Sequence, residues 1–422
     1  MQSRIFSDPV HGFISVDGSL LLSLIQQPEV QRLRRIRQLG VGYLVFPGAE
    51  HSRFGHALGA MALMDDALQS LRKQGVSITD EEHEAARIAA LMHDIGHGPF
   101  SHTLENDLIS EFQHEDMSRV LLVEINNRFD GALDLAIEIF DGSYPSPVFH
   151  QLVSSQLDMD RLDYLRRDSY YTGVMEGVVG VDRIIKMMRL FVNNDGSGTL
   201  AFDQKATYTI ENFLQARRFM YWQVYLHRGV IAGDHVLKSI LRRARFLHAN
   251  GRLDVPASPA LSYFVTNSVD SSTISSDIVW RSYSALDDSD ILYSIKQWRS
   301  SKDFVLSDLS DRFINRRLFK VRFQSVSSSA ERLARAKSRV VRWIQDSRAS
   351  ESDGIEDTLT YYLHSGSVTH TAYKRATGGI QLVAGDRLVE LSELDAATAV
   401  MALTQNEERH YIAYPPEIEP VE

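Results

Sequence analysis

The stretch His93-Asp94-Ile95-Gly96-His97-Gly98-Pro99-Phe100-Ser101-His102 limits what this chain can be more tightly than any other. An adjacent His-Asp pair sets an imidazole nitrogen beside a carboxylate oxygen, a pairing suited to a divalent metal that must be held and still react. His97 follows His93 by four residues, so a helix through both turns the two imidazoles to one side. Gly96, Gly98 and Pro99 then break that helix and let the backbone approach a ligand closely. One His-Asp dipeptide alone would mean little. Three histidines and an aspartate within ten residues mark a candidate metal site.

With no cysteine in the chain, any metal here must be bound through nitrogen and oxygen, and disulfides are excluded. A length of 422 residues is too great for one small core. The formal charge of −10 argues against nucleic acid as the main ligand, yet leaves room for a local basic cleft. Met1-Gln2-Ser3-Arg4-Ile5-Phe6 has no leader pattern, and no apolar run approaches the roughly 20 residues that span a bilayer. A cytoplasmic protein without a membrane partner is the expectation.

Hydrophobic spacing predicts mostly helices. Residues 4–16 read as an extended segment turning at Asp8-Pro9 and His11-Gly12. Residues 19–38 read as one helix whose polar face carries Gln31, Arg32, Arg34, Arg35 and Arg37. Phe54, Ala57, Leu58, Met61, Met64, Leu68 and Leu71 recur at helical spacing. Thr79 and Glu82 form a capping-box pattern that opens the helix ending in His93-Asp94. Asn194-Asp195-Gly196-Ser197-Gly198 predicts a tight turn before Leu200-Ala201-Phe202. Polar breaks fall at Ser268–Ser276 and Ser347–Asp353, with a helix over Asp290–Trp298. Gln381–Ala384 and His410–Tyr414 read as strands.

Further motifs flank the first. Upstream stands Arg53-Phe54-Gly55-His56; downstream come His114-Glu115 and Asp158-Met159-Asp160-Arg161-Leu162-Asp163-Tyr164. In this order the four motifs resemble the HD-domain phosphohydrolases, and most closely their deoxynucleoside triphosphate triphosphohydrolase branch, which includes the mammalian enzyme carrying a SAM domain. The resemblance begins at Asp8-Pro9-Val10-His11-Gly12 and is dense to about residue 230. It continues more weakly through Leu286–Leu292 and Asn315–Lys320.

That resemblance implies a mainly α fold: a helical HD-domain core with small β elements over residues 1–250, and a mixed α/β C-terminal region over 251–422 packing on it. It implies one divalent ion per chain held by His56, His93, Asp94 and Asp160, with Fe, Mn, Zn and Mg all open. Asp158 and Asp163 compete with Asp160 in the same segment, and the resemblance selects Asp160. His97 and His114 are the expected proton-handling groups, with Glu115 supporting. His102 is either a third such group or a cap on the Gly-Pro loop. Arg53, Arg161 and Arg217 correspond to triphosphate contacts. Tyr164, Asp168 and Tyr225 correspond to sugar contacts, and Gln38 and Leu39 to positions facing base and sugar. Leu226 stands where the family often has a Gln.

The mammalian relative also has a regulatory site, and here the match is partial. Gln26 replaces its guanine-reading Asp, while Gln31 and Arg34 match the rest. Arg189 and Lys205 match part of the adjacent nucleotide site, with Asp203 where a cation is expected. The expected activity is metal-dependent hydrolysis of deoxynucleoside triphosphates to deoxynucleoside and tripolyphosphate. The alternatives are an HD-domain phosphohydrolase of another nucleotide or phosphomonoester, and a nucleotide-binding regulator without catalysis. Four Arg between positions 32 and 37 would repel one another unless neutralised, which motivates a homo-oligomer, dimer or tetramer, with this segment at or near an interface.

Overall fold

A hairpin opens the chain: β1 (Ser3–Asp8) and β2 (Gly12–Asp17) pair antiparallel around the predicted turn. The structure, a computed structural model, describes residues 3–193, 196–324, 329–347, 354–375, 378–394, 397 and 399–418.

The single helix expected over 19–38 is broken. α1 (Ser19–Ile25) ends, and Pro28 restarts the helix as the first residue of α2 (Pro28–Arg32), a position where a missing N–H costs nothing. A 3₁₀ turn over Leu33–Arg35 follows. The break redistributes the arginines. Arg32 is buried and donates to the carbonyls of Leu286 (2.8 Å) and Ile95 (3.3 Å). Arg35 pairs with Asp287, and Arg37 with Glu50 and Asp288. Three of the four arginines, Arg32, Arg35 and Arg37, thus find partners within the chain.

α3 (Arg53–Lys73) buries Phe54, Ala57, Leu58, Met61, Met64, Leu68 and Leu71, the residues whose spacing predicts it. α4 (Asp80–Met92) starts on the Thr79–Glu82 capping box. It stops at Met92, so His93 caps it and His97 lies beyond the helix rather than one turn along it. α5 (Glu105–Leu108), α6 (His114–Arg128), α7 (Asp134–Asp141) and α8 (Pro147–Val153) follow. α9 (Met159–Thr172) begins at Asp158, whose side chain accepts the Arg161 N–H at 2.7 Å. α3 packs against both α4 and α9. After α10 (Val181–Lys186), β3 (Met188–Val192) and β4 (Gly198–Asp203) pair antiparallel. Of the turn predicted between them, Asn194 and Asp195 lie outside the described residues. α11 (Thr207–Met220) runs into a π-helical turn, Tyr221–Tyr225, before α12 (Arg228–Ala249).

The later strands are β5 (Lys320–Gln324), β6 (His364–His370), β7 (Gln381–Ala384), β8 (Arg387–Glu390) and β9 (Glu407–Tyr414). The two strands predicted near the C-terminus lie in β7 and β9. One sheet has the order β5-β9-β6; the other has the order β3-β4-β7-β8, in which β7 pairs parallel with β4. A helix spans Asp288–Trp298, close to its predicted bounds. The polar stretch Ser268–Ser276 is a loop apart from a 3₁₀ turn at Ser271–Thr273. The break predicted at Ser347–Asp353 lies outside the described residues from position 348 onward. The architecture is mainly α with small β elements, and buried apolar residues from Ile14 to Ile418 form one contiguous cluster. No helix among the described residues is long and apolar enough to cross a membrane.

One buried ion pair ties α12 to the later helices. Arg243 donates to Asp303 through Nε (2.9 Å) and Nη2, with both side chains almost fully buried. Asp303 also caps the Phe304–Ile314 helix by accepting the Leu306 N–H at 2.9 Å. Asp303→Ala removes the cap and leaves a guanidinium buried without its bidentate partner. Breaking such pairs costs about 3–5 kcal/mol, so urea denaturation of Asp303→Ala should show a loss of that order. A change below about 1 kcal/mol would mean the pair behaves as a surface bridge.

Candidate metal centre and adjoining cavity

α3, the end of α4 and the start of α9 bring together four side chains, His56, His93, Asp94 and Asp160. His56 Nε2 lies 3.1 Å from Asp160 Oδ1, 3.3 Å from His93 Nε2 and 3.6 Å from Asp94 Oδ2. His93 Nε2 lies 3.3 Å from Asp94 Oδ1 and 3.6 Å from Asp160 Oδ1. Donors held at about 2.0–2.2 Å from one ion in tetrahedral or octahedral geometry stand roughly 3–3.6 Å apart. His56, His93 and Asp94 come together within 4.8 Å of one another, close enough to share one ion, and Asp160 reaches both imidazoles.

The tautomers agree. His56 Nδ1 donates to Asp163 Oδ2 and His93 Nδ1 to the Ala90 carbonyl, both at 2.7 Å. Those oxygens can only accept, so both Nε2 lone pairs turn toward Asp94 and Asp160. Lone pairs facing carboxylate oxygens repel unless positive charge sits among them, and the set therefore fits a divalent cation. Without one, protons take that place. Burial alone would lower both imidazoles, but Asp160 and Asp163 raise His56 to about 10, and Asp94 and Asp160 raise His93 to about 9. Of the three aspartates in the segment, Asp158 is occupied as the cap of α9 and Asp163 stands behind His56; Asp160 faces both imidazoles.

Beyond His93 the chain turns sharply. Phe100 and Ser101 have φ of 53° and 45°, a left-handed conformation costly for side-chain-bearing residues. It is held by burial of the Phe100 ring and by its N–H donating to Asp288 Oδ1 at 2.8 Å. The turn presents Ser101 Oγ to Arg53 Nε at 2.8 Å, while Arg53 Nη1 bonds Asp94. Gly96 permits the next contact: a Cβ there would lie 2.2 Å from the His114 carbonyl and the Ser118 nitrogen. α6 can therefore start directly against the loop. His114 packs against His97 with centroids 3.6 Å apart and the rings tilted by 33°, and His102 lies 5.2 and 5.3 Å from the two.

Glu105, which the sequence reading passes over, organises these three rings. Its Oε1 accepts from His114 Nδ1 (2.9 Å) and the His114 N–H (2.6 Å), and its Oε2 from His102 Nδ1 (3.0 Å). Burial pushes Glu105 up, but the two imidazoles hold it well below the usual carboxylate range. The three-residue spacing from His102 is the sequence signal for it. Glu115 approaches His114 Nδ1 only to 3.3 Å, with its side chain mostly exposed. Burial and the nearby Arg53 push His97 well below the ordinary histidine range, so its imidazole is neutral.

A cavity of about 490 Å³ joins this end to a second wall. Gln38, Leu39, Arg53, Asp94, His97, His102, His114, Glu115, Asp160, Arg161, Tyr164, Asp168 and Tyr225 all line it. Tyr225 donates to Asp168 Oδ2 at 2.8 Å, and His51 Nε2 holds the other carboxylate oxygen at 2.8 Å. The π-helical turn carries Tyr221 onto the same wall, edge-on to Tyr225 at 5.0 Å. Behind it, His370 of β6 stacks on Tyr221 at 3.8 Å. Leu226, Thr103, Asp234 and Lys238 also line the cavity. Gln38 Oε1 is buried without a hydrogen-bond partner among the described residues.

Other expected contacts lie elsewhere. Arg217 is off the cavity wall, buried behind Tyr221 and donating to the Ala372 carbonyl at 3.1 Å. Gln31 accepts from Arg34 Nε at 2.9 Å, and Arg34 lies over the Phe54 ring at 3.6 Å. Arg189 pairs with Asp203 at 3.0 Å, and the same carboxylate accepts the Lys205 N–H at 3.0 Å. None of these four lines the cavity.

Residues 53–165 match the HD domain family. The chain is 37% identical over 325 residues to the uncharacterized protein YwfO of Bacillus subtilis, an alignment covering 75% of this chain and 71% of that one. It is 26% identical over 415 residues to the deoxynucleoside triphosphate triphosphohydrolase SAMHD1 of Danio rerio, covering 88% of this chain and 63% of the relative. A solved phosphohydrolase of Bacteroides thetaiotaomicron superposes with a TM-score of 0.89 at 40% identity, covering 98% of this chain and all of the other.

Purified protein should carry about one divalent ion per chain. Elemental analysis of Asp94→Ala should find that ion largely lost; full retention would place the metal somewhere else.

Proposed function

The chain belongs to the HD-domain phosphohydrolases, and on that premise we propose that it hydrolyses deoxynucleoside triphosphates to a deoxynucleoside and inorganic tripolyphosphate. The observation that carries this reading is that one cavity is lined by Asp94, Asp160 and the histidines His97, His102 and His114 as well as by Tyr164, Tyr225 and Asp168. The first set suits a polyphosphate and the second a nucleoside. The similarity to SAMHD1 supports the substrate class.

His56, His93, Asp94 and Asp160 would hold the metal, which when bound supplies Lewis-acid polarisation of a phosphoryl oxygen. The chain's own groups do the rest. Water attacks the α-phosphorus and the bond to the 5′ oxygen breaks. His97, kept neutral, would take the water's proton, and His114, oriented by Glu105, would give one to the leaving 5′ oxygen. Arg53 and Arg161 bring positive charge to the phosphate side of the wall. Tyr225, fixed by Asp168, packs against the sugar where a 2′-hydroxyl would project, so ribose is disfavoured sterically. Leu226 offers the base no hydrogen bond where the family often has a Gln, so nucleobase preference need not follow the family's. Gln31, Arg34, Arg189 and Lys205 are the proposed contacts for a regulatory nucleotide in a homo-oligomer. With Gln26 in place of a carboxylate, assembly should proceed without GTP.

A substrate panel with product analysis decides the activity. Tripolyphosphate should appear from deoxynucleoside triphosphates and not from ribonucleotides or phosphomonoesters. Release of monophosphate alone would favour another phosphohydrolase reaction. His114→Ala should lower kcat roughly a hundredfold or more, as loss of a general acid does, with metal content intact; near-normal turnover would move the proton to His97 or His102. Tyr225→Ala should narrow the ratio of deoxy- to ribonucleotide turnover, and an unchanged ratio would assign sugar selection to other residues.

A further inference from the structure

The hairpin turn between β1 and β2 reaches the back of the metal centre. Asp8 Oδ1 accepts the N–H groups of Val10 and His11, each at 2.9 Å, and this local turn aims the His11 ring inward. His11 Nε2 lies 2.6 Å from Asp163 Oδ1, with its side chain only 8% exposed. Asp163 is fully buried and can only accept, so Nε2 carries the proton and donates it.

Asp163 is the carboxylate that fixes His56. It takes the Nδ1–H of His56 on Oδ2 and the donation from His11 on Oδ1. Arg167 adds Nε to Oδ2 (2.9 Å) and Nη2 to Oδ1 (3.0 Å), and its Nη1 returns to Asp8 Oδ2 at 2.8 Å. The circuit runs from the turn through Asp163 to a metal-ligand imidazole and back to the turn through Arg167. α3 makes room for it. At Gly59 a Cβ would lie 1.9 Å from Asp163 Oδ1 and 2.5 Å from Arg167 Nη2.

We propose that His11 is a positioning residue of the metal centre: through Asp163 it holds His56 in the tautomer and orientation that bind the ion. Partners of this kind, one step removed from the metal, change its affinity by about 10–100-fold when lost. The hairpin is then part of the hydrolytic site although it contributes nothing to the cavity wall. The inference rests on His56 being a metal ligand.

The test titrates Mn²⁺ alone into metal-stripped protein, wild type and variants, with circular dichroism as a check on folding. His11→Phe keeps the ring volume and removes the donor; it should bind Mn²⁺ about 10–100-fold more weakly. His11→Gln carries an amide N–H of similar reach and should stay within a few-fold of wild type. Phe13→Ala, on the exposed face of the same hairpin, should bind as wild type. Wild-type affinity in His11→Phe overturns the proposal. So do equal losses in the Phe and Gln variants, because the donor would then be irrelevant. Failure of the metal assignment looks different: His56→Ala would itself bind Mn²⁺ like wild type.

Discussion

The structure depends on how excess negative charge is neutralised where α3, α4 and α9 cross. Asp8, Asp94, Asp160 and Asp163 bring four carboxylates to this region, and Arg53 and Arg167 answer two of them. An excess of two negative charges is left beside two imidazoles whose outer nitrogens are already committed as donors. A divalent ion would neutralise that remainder; without one, protons on His56 and His93 do so, which is why both imidazoles are raised. Burial makes the demand severe, since an unpaired carboxylate in such a place costs several kcal/mol. The helices can pack closely here because positive charge, from protons or from a cation, balances these carboxylates.

Much of this was legible in the sequence because its motifs are local. The His-Asp pair, the helical spacing after Phe54 and the Thr79–Glu82 cap each depend on residues a few positions apart, and the structure has them where spacing predicts. The order of the four motifs also brought His56, His93, Asp94 and Asp160 onto one centre. What escaped was set by tertiary partners. Arg32 looked like a surface residue because nothing nearby in sequence reveals the carbonyls of Leu286 and Ile95 that bury it. Periodicity carried the first helix through Pro28, although the ring there starts a new helix. Glu105 went unnoticed because its partners His102 and His114 are brought together only by the turn at Phe100 and Ser101.

That turn sets the geometry of the histidine trio. Two consecutive left-handed residues without glycine are unfavourable on local grounds, and the compensation is distant. Asp288 holds the Phe100 N–H and also accepts the Arg37 N–H at 3.0 Å. Burial pushes the Asp288 carboxyl up to about 6, against the pull of those two backbone donors. A residue near position 288 thus fixes the shape of a loop near position 100, and through Ser101 the aim of Arg53.

The parallel pairing of β4 with β7 has a consequence for how the molecule is made. A sheet begun at residue 188 is completed only by residues 381–390, and the ring behind Tyr221 arrives with β6. Chains emerge N-terminus first, and long-range strand pairing is slow to form. The segments that carry His56, His93, Asp94 and Asp160 precede residue 173, whereas the ring behind Tyr221 comes from β6. A chain cut short before β6 would thus keep His56, His93, Asp94 and Asp160 while lacking the ring that backs Tyr221.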